Sequence, residues 1–376
     1  MTSDSEKAVI CVVGARPNFM KIAPVIRALR KLAQPIPTVL VHTGQHYDAA
    51  MSHRFFDQLG IPKPDVDLEV GSSSHAAQTA SIMERFEPVI DRTPVSAVLV
   101  VGDVNSTIAC GLVAVKKGVP VIHVEAGLRS GDRTMPEEIN RILTDQISEV
   151  LFTTERGARD NLLREGIPDS RIHFCGNVMI DTLLGHLPMA VDPRTLFARI
   201  PAAGSFQDQA RYGLLTLHRP SNVDVAATLQ RLLTTIREIS ETLPIVFPMH
   251  PRTERRISEA GLGSCLDTPR ILTLPPQGYL EMLGLMKHAA VVLTDSGGIQ
   301  EETTALGIPC LTLRENTERP ITVEQGTNTV VGTDPTRIQA VLSETATTGG
   351  KRGRIPEFWD GHAAERIART LSEWLG

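Results

Sequence analysis

Apolar residues along this chain fall into short continuous runs separated by stretches of helical period. In the first half the runs are Ala8–Val13, Thr38–Val41, Ala97–Val101, Pro120–Val124 and Val150–Thr153. In the second they are Tyr212–Leu217, Pro244–Met249, Arg270–Leu274, Ala290–Leu293 and Cys310–Leu313. Most are unbroken rather than alternating, as suits strands covered on both faces of a parallel sheet. Alternation of such runs with helical patterns from end to end predicts a doubly wound α/β fold. The pattern breaks near residues 185–210, where Pro188, Pro193, Pro201 and Gly204 interrupt a weak periodicity. A chain of 376 residues, set against a usual domain size of roughly 100–200, suggests two domains. Their expected bounds are 7–185 and 205–361, with a last helix at 362–376 able to pack back on the first.

Composition narrows the class. Hydrophobic residues make up 41% and charged residues 22%, enough for a packed core and against disorder. The net charge is −5 with both signs interspersed, and no basic stripe invites nucleic acid. The polar start Met1–Lys7 lacks the core of a signal peptide, and no apolar run reaches the roughly 18 residues a membrane helix needs. A cytoplasmic protein with no membrane partner is expected. The cysteines, Cys11, Cys110, Cys175, Cys265 and Cys310, are odd in number, widely spaced and free of any Cys-x-x-Cys pattern. That usage predicts buried free thiols in a reducing compartment.

Functional groups in such folds gather just beyond strand C-termini. After the first strand, Gly14–Lys21 places Arg16 and Lys21 around a helix start, either as an anion site or as solvated charges on a plain turn. Asp103, in Gly102–Thr107, either caps the next helix or reacts. Glu125 ends an apolar strand, which is costly unless the carboxylate is hydrogen-bonded or functional. Pro136 opens a helix in which Glu137 and Arg141 share a face. Acids in a first turn are ordinary helix design, a reading that fits Glu138 better than Glu137. In the second half His218 stands at a strand end, as a core histidine or a functional one, and Gln277 and Tyr279 lie near a helix start. Asp295–Glu302 is the most specific element. Ser296, Gly297 and Gly298 would present backbone N–H groups at the positive end of a helix, which suits a diphosphate. Glu302, about a turn further, can accept from both hydroxyls of a ribose. The pattern is neither G-x-G-x-x-G nor G-x-x-x-x-G-K, so neither NAD nor ATP is expected. Arg314 and Thr317–Pro320 add cations near the same edge.

Together these motifs carry a resemblance: Gly-Ala-Arg-Pro with Lys21, Thr43-Gly44-Gln45-His46, Gly102-Asp103, His123–Gly127, Pro136–Arg141, Asp295–Glu302 and Thr317–Pro320. From about Val9 to Gly332 the chain resembles the bacterial and archaeal non-hydrolysing UDP-N-acetylglucosamine 2-epimerases. The resemblance implies two facing Rossmann-like doubly wound domains, as in the GT-B glycosyltransferases. It implies UDP-GlcNAc as substrate, UDP-ManNAc as product for cell-surface polysaccharides, no NAD and no catalytic metal, and a homodimer. Asp103, Glu125, Glu137 and His218 match the catalytic group. Arg16, Lys21 and Arg141 match substrate or phosphate contacts. Gln277, Ser296, Gly297, Gly298, Glu302 and Arg319 match the UDP site, with Met282 where an aromatic near uracil is frequent. The implied route eliminates UDP across C1–C2 to 2-acetamidoglucal and re-adds it with the proton on the other face. That requires a held diphosphate, acid–base groups at C2 and exclusion of water, which domain closure would supply. Tyr47–Met51 departs from the family's allosteric segment, so allosteric activation is not expected. The rivals are a hydrolysing 2-epimerase, a 2-epimerase of a diacetamido-uronic acid nucleotide, a glycosyltransferase of like architecture and a non-catalytic UDP-sugar binder. The segment Gly127–Asp132 looks more like the GlcNAc group than the second of these.

Overall fold

The computed structural model describes residues 7–44, 60–200, 203, 206 and 211–376. The chain divides into two units, one built from residues up to Gly185 with Glu357–Gly376, the other from His186–Pro356.

The first unit is built on a seven-stranded sheet. Its strands are β1 (Ala8–Val13), β2 (Thr38–His42), β3 (Val66–Asp67), β4 (Val95–Val101), β5 (Val121–Ala126), β6 (Val150–Thr153) and β7 (Ile172–Phe174). The order is β3-β2-β1-β4-β5-β6-β7 and the pairings are parallel. The second unit carries β8 (Gly213–Thr216), β9 (Ile245–Pro248), β10 (Ile271–Leu274), β11 (Val291–Thr294), β12 (Cys310–Thr312) and β13 (Asn328–Val330). Its six strands are also parallel, in the order β10-β9-β8-β11-β12-β13. Each order reverses once, at β1/β4 and at β8/β11, and crevices for ligands open beyond the strand ends at such points. The chain is therefore α/β with two doubly wound parallel sheets.

Burial explains the unbroken apolar runs. Ile10, Val12, Val98 and Val100 pack with Ile82 and Phe86, and every one of them is buried. Leu215, Phe247 and Leu293 do the same with Leu229, Leu233 and Ile236 in the second unit. Three strands do not announce themselves in the sequence: β3, β7 and β13, all short and all at sheet edges.

The second unit begins at His186 rather than near residue 205, because the segment after it is anchored there. Val191 N–H donates to Leu280 O at 3.0 Å. A Cβ on Gly284 would lie 1.8 Å from Val191 O, so only glycine allows that approach. Phe197 meets Tyr212 edge-on. Residues 357–361 belong to the first unit. The Trp359 indole is buried and donates from Nε1 to Thr154 O at 3.1 Å. The final helix, Ala363–Leu375, also packs there, against the helix Arg16–Arg30. Its first amides, of Ala363 and Ala364, donate to the Asp181 carboxylate.

Cys11, Cys110, Cys175 and Cys310 are buried free thiols, and burial pushes Cys11 and Cys310 up to about 12, which leaves them unreactive. Among the described residues no helix is long and apolar enough to cross a membrane.

Candidate active site

In the first unit the exits of β1, β4 and β5 converge on one cluster of charge. Asn18 orders the β1 exit. Its Oδ1 accepts the amides of Gly14 and Ala15, while its Nδ2 donates to Val101 O at the end of β4. One turn further along the same helix, Lys21 Nζ lies 2.5 Å from Glu125 Oε2, with both side chains buried. Gly102 lines the cluster: a Cβ there would stand 3.2 Å from Asn18 Nδ2 and 3.4 Å from Lys21 Nζ.

The helix Pro136–Ile147 supplies the other wall. Proline begins it, where no amide partner is needed, and Glu137 and Glu138 occupy its first turn. The two acids differ in task. Glu138 is buried, accepts the amides of Ser130 and Gly131, and meets Arg141 Nη1 at 2.5 Å. It is a structural acid. Glu137 is half-buried. Arg141, matched above to a substrate or phosphate contact, is buried and grips Asp103 Oδ2 through Nε at 2.9 Å and Nη2 at 2.7 Å. Asn140 Nδ2 donates to Asp103 O. Arg141 thus holds Asp103 through a two-point fork. The Arg16 side chain and the segment Gln45–Met51 lie outside the described residues.

In the second unit the exits of β8, β11 and β12 are tied by one buried acid. Asp295 accepts the amides of His218 and Arg219 and the Nδ2 of Asn222, which also reaches Leu313 O. His218 Nδ1 stands 2.9 Å from Asp295 Oδ1, and its ring is partly exposed. Burial alone would raise the Asp295 carboxyl, but the His218 ring and the two backbone amides outweigh it and hold it below the usual carboxylate range. The histidine is oriented as in an acid–base dyad, with Nδ1 engaged by the carboxylate.

The helix Gly297–Leu306 begins at the β11 exit, with Ser296 as its cap residue and no side-chain cap bond. Its start already faces a negative group. A Cβ on Gly297 would lie 2.5 Å from Glu318 Oε1, and Glu318 pairs with Arg314 at 2.8 Å and Arg219 at 3.6 Å. Glu302 is buried and accepts from Tyr279 OH at 2.9 Å, so its carboxylate is set before any ligand arrives. Gln277 and Met282 are half-buried at the start of the neighbouring helix Tyr279–Lys287. Arg319 is buried with its Nε 2.8 Å from Glu301.

The family profile described as UDP-N-acetylglucosamine 2-epimerase matches residues 28–372. The chain belongs to this family. A curated UDP-N-acetylglucosamine 2-epimerase of Methanococcus maripaludis is 43% identical over 363 residues, 96% of this chain and 97% of that one. The Methanocaldococcus jannaschii UDP-GlcNAc 2-epimerase, solved with UDP-GlcNAc and UDP, is 41% identical with a TM-score of 0.89, covering 97% of this chain and 99% of that one. A third relative, from Pseudomonas aeruginosa, is 40% identical over 373 residues, 97% of this chain and 99% of its own. It is a UDP-2,3-diacetamido-2,3-dideoxy-D-glucuronate 2-epimerase. Family membership covers fold and reaction class together.

The pairings of three groups carry no signal in the sequence of this epimerase-family chain. Asp295 is the partner of His218 across 77 residues of sequence. Tyr279 bonds Glu302, 23 residues on. Asp145 engages His123, and an aspartate near a helix end carries no motif.

Proposed function

We propose that the protein interconverts UDP-N-acetylglucosamine and UDP-N-acetylmannosamine by inversion at C2. The single observation that carries the reading is the buried Lys21–Glu125 pair, 2.5 Å apart. It stands beside Gly102-Asp103, in a chain of the epimerase family. The C2 proton of the sugar is not flanked by a ring carbonyl, so direct abstraction would be very slow. Elimination of UDP across C1–C2 avoids that step. A carboxylate removes the C2 proton as the C1–O bond breaks, giving 2-acetamidoglucal and UDP. Re-addition of UDP at C1 with protonation of C2 from the other face gives the epimer.

Glu125 and Glu137 are the proposed acid–base groups, with Asp103 held by Arg141 as the third carboxylate. Lys21, with Arg16, is assigned the charge of the substrate. His218, oriented by Asp295, serves the diphosphate, either as a hydrogen-bond donor or by protonating the departing oxygen. The amides of Gly297 and Gly298 at a helix start, with Ser296 and Arg319, are assigned to the same diphosphate, where fixed dipoles stabilise charge that develops as the bond breaks. Glu302, pre-set by Tyr279, is assigned to the ribose, and Gln277 and Met282 to the base. A cytoplasmic homodimer belongs to the same proposal, checked by the solution mass.

The second reading keeps the chemistry and changes the sugar. The Pseudomonas relative, at 40% identity, acts on a diacetamido uronic acid nucleotide. Proton NMR in heavy water decides between them. Incubation with each UDP-sugar reports C2 exchange, the manno product and any free sugar. Equilibration of UDP-GlcNAc with deuterium at C2 supports the first reading, turnover of the uronic acid substrate alone supports the second, and free N-acetylmannosamine overturns both.

A further inference from the structure

Glu125 sits in a backbone conformation that needs holding. Its φ is +76°, in the left-handed region, and it is not glycine. Such residues are strained and persist only where their surroundings over-determine them. The ladder slips at the same point: Val124 pairs with Phe152 and Ala126 with Thr153, so Glu125 is an extra residue in β5. A bulge of this kind re-aims one side chain and is common beside active sites. Here it directs the Glu125 carboxylate onto Lys21.

One buried carboxylate clamps both flanks of that bulge. Asp145, in the last turn of the helix Pro136–Ile147, has no exposure. Before the bulge, its Oδ1 takes His123 Nδ1 at 2.7 Å. After it, its Oδ2 accepts the amide of Gly127 at 3.1 Å and lies 2.7 Å from Arg129 Nη2. The other nitrogen of His123, Nε2, lies 2.9 Å from Gly102 O. A carbonyl only accepts, so Nε2 donates, and the clamp extends to the residue before Asp103. The same helix carries Glu137 in its first turn and Arg141, which grips Asp103. Three candidate acids are thus referred to one rigid element.

We propose that Asp145 is a positioning residue of the epimerase reaction, fixing Glu125 and Asp103 relative to Glu137 through His123, Gly127 and Arg129. It is fully buried and reaches no substrate. The proposal rests on the reading of Glu125 as a proton-transfer group. A role confined to stability would lower the melting point and leave catalysis by the folded protein intact. A positioning role instead lowers kcat while the UDP-sugar still binds.

The test compares Asp145→Asn, His123→Gln and Glu125→Gln in the full chain. It reads thermal unfolding, UDP affinity by calorimetry, kcat and KM with UDP-GlcNAc, and deuterium incorporation at C2. Asp145→Asn keeps an oxygen for the Gly127 amide and removes the negative charge that faces His123 and Arg129. His123→Gln keeps the Gly102 contact, loses only one flank, and tests the idea if the first variant folds poorly. Misplacement of a reacting group by about 1 Å can cost about a hundredfold. The expected result is a kcat loss of about that size for Asp145→Asn and about tenfold for His123→Gln, with KM and UDP affinity within about threefold. Folded variants with unchanged kcat, or with losses that appear in KM alone, overturn the proposal. If Glu125→Gln retains turnover and C2 exchange, the reading of Glu125 falls and the proposal with it. If Glu125→Gln is inactive while the other two are normal, only the positioning role is lost.

Discussion

Asp295→Asn separates the orientation of His218 from its presence. The change replaces one carboxylate oxygen by an amide nitrogen at a site with no exposure. The wild-type carboxylate accepts the His218 and Arg219 amides and Asn222 Nδ2 at 2.9–3.2 Å, and meets His218 Nδ1 at 2.9 Å. An asparagine oxygen can keep the two backbone amides. Its nitrogen then faces His218 Nδ1, which must accept, so the ring carries its proton on Nε2 and loses its counter-charge. The structural cost is one charge-assisted hydrogen bond, about 1.5–3 kcal/mol. For a unit of this size that lowers the melting point by roughly 3–12 °C, and the unit remains folded at 25 °C.

The catalytic cost is larger. A positioned proton donor contributes about 10²–10⁴ in rate, so kcat should fall by about a hundredfold or more. Proton NMR of UDP-GlcNAc turnover gives kcat and calorimetry gives the UDP affinity. His218→Asn and the double variant complete a cycle. If Asp295 acts through His218, the double variant turns over no more slowly than His218→Asn alone, a clear departure from additivity. A kcat for Asp295→Asn within about threefold of wild type removes Asp295 from the orientation of His218, since it falls below the span of a positioned acid. So does an additive cycle.

Glu137→Gln should abolish deuterium incorporation at C2 with UDP affinity unchanged, and exchange at the wild-type rate would remove Glu137 from proton transfer. Gly127→Ala forces a Cβ to 2.5 Å from Ala158 O at a φ of +78°. The left-handed backbone costs about 1–2 kcal/mol and the clash about 1–3, so the unfolding free energy of the first unit should drop by the sum and its urea midpoint fall with it. An unmoved midpoint would show that the β5 exit gives way freely. Asp181 is pushed up to about 6, chiefly by burial, despite the Ala363 and Ala364 amides that favour its charge. Its folded carboxyl therefore binds a proton more readily than the unfolded one, and stability falls as pH rises from about 4 through about 6, by roughly 2 kcal/mol. Asp181→Asn keeps an acceptor for the final helix and should flatten that slope in chemical denaturation between pH 4 and 6, whereas a slope like that of wild type would assign it to other groups.

Which parts of this were legible in the sequence follows from how far each signal reaches. The central strand β1, and β4 from Ala97 onward, are buried on both faces, so every position there is apolar and the run stands out. The edge strands β3, β7 and β13 are covered on fewer sides, and two or three residues suffice to pair them. Nothing in their composition distinguishes them from loop. The strand-end motifs were equally plain, because glycine and charge directly after an apolar run are local features. Arg141 shows where locality fails. Its spacing from Glu137 predicts a shared helix face, and the helix Pro136–Ile147 provides one, but spacing is silent on Asp103, which it grips 38 residues back. Only sheet order brings the β4 exit against that helix.

The orienting acids are silent in the sequence while the reacting ones are not, because their contexts differ in reach. A carboxylate that must meet a substrate stands at a strand end beside glycines, as Glu125 and Asp103 do, or in a helix's first turn behind a proline, as Glu137 does, and that context is written in neighbouring letters. A carboxylate that holds another residue needs only burial and a partner, and the partner is set by topology. Asp145 finds His123 because β5 lies beside the helix that follows it, 22 residues on. Asp295 finds His218 because β8 and β11 are adjacent at the reversal of strand order. Both acids are fully buried and each engages a histidine together with at least one backbone amide at or near a candidate reacting residue. A buried charge left without such partners would cost several kcal/mol, so each must be locked in a single geometry. That rigidity is what a proton-transfer site requires of its supports, and it places the orienting acids where the sheet reverses or bulges.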